Sequence, residues 1–164
     1  MPSRETLVQP VRALCHSLSS AAAIPDILRH FTVSPPPVAA EYGLKSLAPF
    51  LGREFEGQNG VARYFHLVTD ILAVHSMAFE EEISWMVDET LHLVGLRGKA
   101  CFIWKDTGQL FEEAFFYRIG LAQEEENDDL QQRQWKVQDY RVWSDTGAAY
   151  LAHLNELGNL AMER

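Results

Sequence analysis

The spacing of apolar positions changes part-way along the chain, and that change sets the architecture to expect. Near the N-terminus the period is helical: Leu7, Val11, Leu14, Cys15 and Leu18 form one stripe. Ser3 precedes them as a candidate cap, with Glu5 and Thr6 in the first turn. Pro10 predicts an irregular beginning to this helix. A second short helix is expected over about 25–31, and Ser34-Pro35-Pro36-Pro37 ends helical structure and delivers an extended chain. Val38 to Tyr42 reads as a short edge strand. The loop LAPFLGREFEGQNG follows, and Gly57-Gln58-Asn59-Gly60 leads into a third helix from Val61 to about Ala73. Its face carries Val61, Tyr64, Phe65, Val68 and Leu72.

From Ala78 the period falls towards two. Phe79, Glu81, Ile83, Trp85 and Val87 alternate with Glu80, Glu82, Ser84, Met86 and Asp88, the pattern of a strand. Thr90 to Trp104 is long enough for one bent strand, with a bulge expected at Gly95 and Gly98. Lys105 to Gly108 is a hairpin turn. Leu110–Leu121 and Arg133–Val142 are the last two strands, joined by the polar EEENDDLQQ as a solvated connector. Ser144-Asp145-Thr146-Gly147 then opens a terminal helix over about 148–160, with Asp145 as its expected N-cap. Helices first, one early strand, one more helix and a long antiparallel run predict a curved sheet around a helix-plugged pocket. No solenoid-length repeat and no low-complexity linker divides the chain, so 1–164 is expected to form one domain.

Composition narrows the function classes. The hydrophobic fraction of 47% is ordinary for a globular chain. A net charge of −9 repels a phosphate backbone, which disfavours nucleic acid as a partner. No apolar run reaches the roughly 18 residues that a membrane span needs, and MPSRETLVQP lacks the pattern of a secretion signal, so a cytoplasmic protein without a membrane partner is expected. Cys15 and Cys101 lie in apolar stretches without CxxC spacing and read as buried free thiols. No cofactor or metal is expected: GxSxG, Walker, GxGxxG and HExxH patterns are missing, and His16, His66 and His153 have no i,i+4 partner. Asp-Thr-Gly occurs at Asp106 and at Asp145, but turn and cap explain both triplets better than protease chemistry does.

Three blocks carry a family resemblance: EYG followed by LAPFLGREFEGQNGVARYF, the hairpin DTGQLFEEAFFY, and KVQDYRVWSDTGAAYLA. Over roughly residues 5–155 the chain resembles the nuclear transport factor two superfold, and within it the uncharacterised fungal SnoaL-like proteins. The resemblance implies an α+β fold, a cone-shaped α+β barrel whose curved antiparallel sheet wraps around the N-terminal helices. It departs from that pattern in one place, where EEENDDLQQ stands for a turn that usually carries Asp-Gly-Lys. The superfold includes isomerases, polyketide cyclases, dehydratases and epoxide hydrolases as well as binding modules, so fold alone does not choose among them.

Strand parity supplies the candidate site. If Phe111, Phe115 and Tyr117 face the cavity, so does Glu113, whose carboxyl in an apolar wall would titrate high enough to move a proton near neutral pH. Glu41, at the end of the early strand, is expected at the cavity mouth, where the resemblance implies a base. Glu113 and Glu41 are therefore the candidate catalytic groups. Tyr42, His30, His92 and Tyr140 are candidate hydrogen-bonding or lining residues, and Trp85, Phe111, Phe115, Tyr117 and Trp143 candidate ligand contacts. Asp88 beside His92 could form an acid–base pair. Two functions stay open on these residues. One is acid–base isomerisation, cyclisation or dehydration of a small apolar or aromatic molecule; the other is a non-catalytic binding or dimerisation module, pairing as a homodimer through its sheet face.

Overall fold

Ser3 begins the first helix, its Oγ accepting the Thr6 N–H at 3.2 Å. The computed structural model describes residues 1–125 and 133–162. Helix α1 (Arg4–Ser19) runs unbroken through Pro10, so the irregular start expected there does not occur. Its buried stripe of Leu7, Val8, Val11, Leu14, Cys15 and Leu18 offsets the ladder bond that proline removes. Helix α2 (Ile24–Leu28) is a single turn with Pro25 near its start.

Strand β1 (Val38–Tyr42) is not an edge strand. It pairs antiparallel with β2 (Arg53–Glu56) on one side and parallel with β7 (Arg133–Ser144) on the other. Helix α3 (Gly57–Ile71) begins four residues earlier than expected and ends where β3 (Leu72–Phe79) starts. The alternation over 79–87 is not one strand: after β3 comes a 3-10 turn (Glu82–Ser84), then the short β4 (Met86–Asp88). Strands β5 (Leu93–Trp104) and β6 (Gln109–Glu125) form the long hairpin, and Glu124 and Glu125 of the expected connector belong to β6. The rest of that connector, 126–132, lies outside the described residues. In place of one terminal helix there are two, α4 (Gly147–His153) and α5 (Leu157–Met162), separated at Asn155 by a left-handed φ of 62°. Thr146 occupies the α4 N-cap position rather than Asp145, whose Oδ1 instead accepts the Gly147 N–H at 3.3 Å.

The sheet order is β2-β1-β7-β6-β5-β3, with β4 added beside β5, and the curved sheet does not close. Among these strands every pairing is antiparallel except β1 with β7, and two isolated bridges, Phe31 with Val137 and Glu41 with Leu51, are also parallel. Gly95 and Gly98 mark no bulge, since the β5–β6 register is continuous from Leu93 to Trp104. Irregularities fall instead at Val74/Ser76 in β3 and at Gly120/Leu121 in β6. The second irregularity shifts the side-chain parity of β7, so Val137 and Tyr140 are both buried although they stand three apart. Gly98 serves another purpose: a Cβ there would lie 2.4 Å from the Phe115 ring, so only glycine leaves that ring its place.

Helices α1 and α3 lie in the concave face of the sheet. An aromatic cluster fills the contact, with Tyr140 edge-on to Phe31 at 6.0 Å and to Tyr64 at 6.1 Å. Arg4 and Arg12 of α1 tie the helix to the β3–β4 connection. Arg4 donates to the Trp85 carbonyl at 3.1 Å, and Arg12 is bidentate on the Glu82 carboxylate at 2.6 and 2.7 Å. Cys15 is buried as expected, but Cys101 is only half-buried. Among the described residues no helix is long and apolar enough to cross a membrane.

Candidate functional site

Between the helices and the sheet lies a cavity of about 140 Å³. Leu18, Ile27, Phe65, Leu72, Phe102 and Val142 make its walls apolar. Ala21 at the α1–α2 turn and Thr69 on the last turn of α3 also line it and are solvent-exposed, which puts its outer end there. Deep inside are two carboxyls, Glu41 of β1 and Glu113 of β6, only 8% and 9% exposed.

Local folding explains why they meet. On β6 the residues Phe111, Glu113, Phe115, Tyr117 and Ile119 are buried, whereas Glu112, Ala114 and Arg118 are exposed, so strand parity puts the acid on the concave side. On β1, which is covered on both faces, Ala39, Ala40 and Glu41 are all buried; Glu41 lines the cavity and Tyr42 is exposed. The parallel pairing sets Tyr42 opposite Trp143, which brings the next β7 residue, Ser144, to Glu41. The Ser144 hydroxyl donates to Glu41 Oε1 at 3.0 Å, and the Tyr64 hydroxyl of α3 donates to Oε2 at 2.6 Å. Ser144 is paired in the sheet with Phe115, so its side chain also stands diagonally beside Glu113.

Electrostatics separate the two acids. Burial, the nearby Glu41 charge and Asp145 push the Glu113 carboxyl up to about 8. Burial also raises Glu41, but the hydroxyls of Tyr64 and Ser144 both favour its ionised form. Glu113 thus holds a proton at neutral pH, while at Glu41 two hydroxyl donors oppose the upward push of burial. Tyr64 is driven well above its ordinary range by burial and by Glu41, so it stays a hydroxyl donor. Tyr117 and Tyr140, also on the wall, rise for the same first cause, burial.

Of the sequence candidates, Glu41, Glu113, Phe115, Tyr117 and Tyr140 line this one cavity. Glu41 lies deep rather than at a mouth. The others lie elsewhere. Phe111 is on the same face but packs on Phe102 at 5.8 Å, beyond the cavity. Tyr42 and Trp143 stack on each other at 4.6 Å on the outer face, each 41% exposed. Trp85 is buried under α1, its Nε1 donating to the Glu80 carbonyl at 3.0 Å. His30 Nε2 bonds the Ser17 hydroxyl at 2.7 Å beside a different groove. His92 stands edge-on to Trp135 at 4.7 Å, whereas the Asp88 carboxylate accepts the Thr90 and Leu91 N–H groups, so the pair expected there does not form.

Sequence reasoning missed Tyr64 and Ser144. Tyr64 was legible as a buried helix position, and the inward parity of Tyr140 and Val142 extends to Ser144. What neither pattern carries is the strand pairing that sets both beside Glu41. Among the described residues no group of three or more His, Cys, Asp or Glu is placed to hold a metal ion.

Neither a protein-family model nor a curated protein matches the sequence. Solved structures do match in three dimensions. A ketosteroid isomerase-like protein from Erwinia carotovora atroseptica superposes with a TM-score of 0.63 at 15% identity, over 85% of this chain and 93% of that one. The BvnE pinacolase of Penicillium brevicompactum gives 0.61 at 16% identity over 97% and 98%. An NTF2-like protein of Burkholderia xenovorans gives 0.60 at 17% identity over 92% and 98%. With a curved, unclosed sheet packed around its helices and near-complete coverage by these structures, the chain has the cone-shaped α+β fold of the NTF2-like proteins.

Proposed function

We propose that this protein is a small-molecule isomerase that works by proton transfer, with Glu41 as base and Glu113 as acid. The observation that carries the reading is the pair itself: two buried carboxyls on one apolar cavity, of which Glu41 accepts hydroxyl donors at 2.6 and 3.0 Å and Glu113 is pushed up to about 8. A neutral carbonyl compound suits it. Glu41 removes a proton from the carbon beside the carbonyl, while the Glu113 O–H donates to the oxygen, where negative charge develops. The proton on Glu41 returns to a different carbon of the dienolate, the double bond moves, and both carboxyls regain their starting state. Tyr64 and Ser144 stay bonded to Glu41 and keep it aimed. Each step uses groups of this chain, and the isomerase and pinacolase names among the fold's neighbours agree with a reaction of this class.

Cyclohex-3-enone in deuterated buffer tests this. Conversion to the conjugated enone, with deuterium entering at carbon, is expected; Glu41→Gln lowers the rate at least a hundredfold and Glu113→Gln at least tenfold, both variants remaining folded. A wild-type rate equal to that of buffer, with the enone bound, would sink the proposal.

A second copy of the chain is the partner we propose for the outer sheet face. There Tyr42 and Trp143 stack in the open, with Phe116 6.2 Å from Trp143. Arg141, ion-paired to Asp139 at 2.7 Å and to Glu54 at 2.5 Å, borders the patch with both charge signs, as a self-complementary surface requires. Sedimentation should give a dimer, and Trp143→Glu a monomer; a monomeric wild type rejects the pairing.

A further inference from the structure

We infer that the cavity admits one neutral molecule about the size of a single ring, and that Phe115 sets this limit. This deepens the proposed function and shares its site, but it concerns binding and does not need turnover.

Size comes first. The cavity measures about 140 Å³. An engineered apolar cavity of about 150 Å³ in another protein is known to take benzene, while drug-sized ligands occupy roughly 300–1,000 Å³. A fused-ring ligand therefore does not fit unless a wall moves. Charge comes second. Glu41 and Glu113 line the cavity, and among the described residues no Lys, Arg or His does. An anionic ligand would lose its water and face two acidic side chains with no compensating cation, so a neutral ligand with one acceptor oxygen is selected.

Phe115 is the wall with space behind it. It lines the cavity, and it also lines a surface groove with Ala78, Phe79, Arg97, Gly98 and Lys99. No other described residue lines both. Its ring is stacked on Tyr117 at 4.7 Å and stands edge-on to Phe79 at 5.8 Å. It occupies the room left by the missing side chain of Gly98. Tyr64 and Phe65 of α3 and Tyr140 of β7 are backed by one another and, for Phe65 and Tyr140, by Phe31. Truncating Phe115 joins cavity to groove; truncating the others opens only the core.

Calorimetric titration at pH 7 with four probes tests this: cyclohex-2-enone, phenol, benzoate and 2-tetralone. Wild type is expected to bind cyclohex-2-enone and phenol and to bind benzoate and 2-tetralone at least tenfold more weakly. Phe115→Ala should gain at least tenfold for 2-tetralone; Phe115→Leu, which keeps an apolar wall, should gain less and covers the case in which the alanine variant does not fold. Equal wild-type affinity for 2-tetralone and cyclohex-2-enone, or for benzoate and phenol, overturns the selection of size or of charge. No binding of either neutral ring overturns the inference whole, and folded Phe115 variants without any gain remove Phe115 from it. Binding as expected with no isomerisation of cyclohex-3-enone would instead overturn only the proton-transfer reading.

Discussion

Ser144 has one hydroxyl proton, and by donating it to Glu41 it favours the ionised form of that acid. Ser144→Ala should therefore raise the Glu41 titration, which carbon-13 NMR of glutamate-labelled protein is expected to show. An unmoved Glu41 would mean that the Tyr64 hydroxyl alone sets it. Glu113 also makes stability depend on pH, and the sign follows from its direction. Its folded-state pKa of about 8 lies above the ordinary 4.5, so between those values the folded chain holds a proton that the unfolded chain has released. Stability is full below about 4.5 and falls as pH rises through about 8, by roughly 3–5 kcal/mol in total. Glu113→Gln should flatten that fall, leaving the part due to Glu41. Urea unfolding at pH 5 and pH 8.5 checks it: a wild-type slope unchanged in the variant refutes the assignment. Period-two parity was enough to place Glu113 among Phe115 and Tyr117, because a strand side chain's face depends only on its neighbours in sequence. The bonds of Glu41 were not legible in this way, since Tyr64 and Ser144 stand 23 and 103 residues from it.

At the level of elements, the helix stripes and the long β5–β6 hairpin could be read from spacing, while the short pieces could not. The sequence LAVHSMA continues the apolar rhythm of α3, so the switch to β3 at Leu72 leaves no local mark. Four-residue β2 is hidden in a glycine-punctuated loop. The alternation from Phe79 to Val87 is interrupted by a 3-10 turn that Arg12 and Arg4 hold through Glu82, and tertiary contacts there override the pattern. Glycines in β5 suggested a bulge, yet they leave room for aromatic rings on the neighbouring strand. Gly98→Ala should accordingly cost about 1–3 kcal/mol by pushing the Phe115 ring out of place. Chemical denaturation checks the cost, and a variant as stable as wild type would show that the ring gives way freely.

For the whole molecule, the decisive feature is the one parallel pairing, in which β1 joins β7 about a hundred residues later. Hairpin neighbours β5, β6 and β7 need only short loop closures, whereas docking β1 closes a very long one. Kinetic measurements on Val94→Ala in β5 and Ala39→Gly in β1 are expected to give a high φ-value for the first and one near zero for the second. The reverse order would contradict this assembly sequence. Until β1 arrives, Glu113 has neither its neighbouring negative charge nor its full burial, and it behaves as an everyday surface acid. The protonated carboxyl is thus a product of the final closure, and a nascent or partly melted chain lacks it.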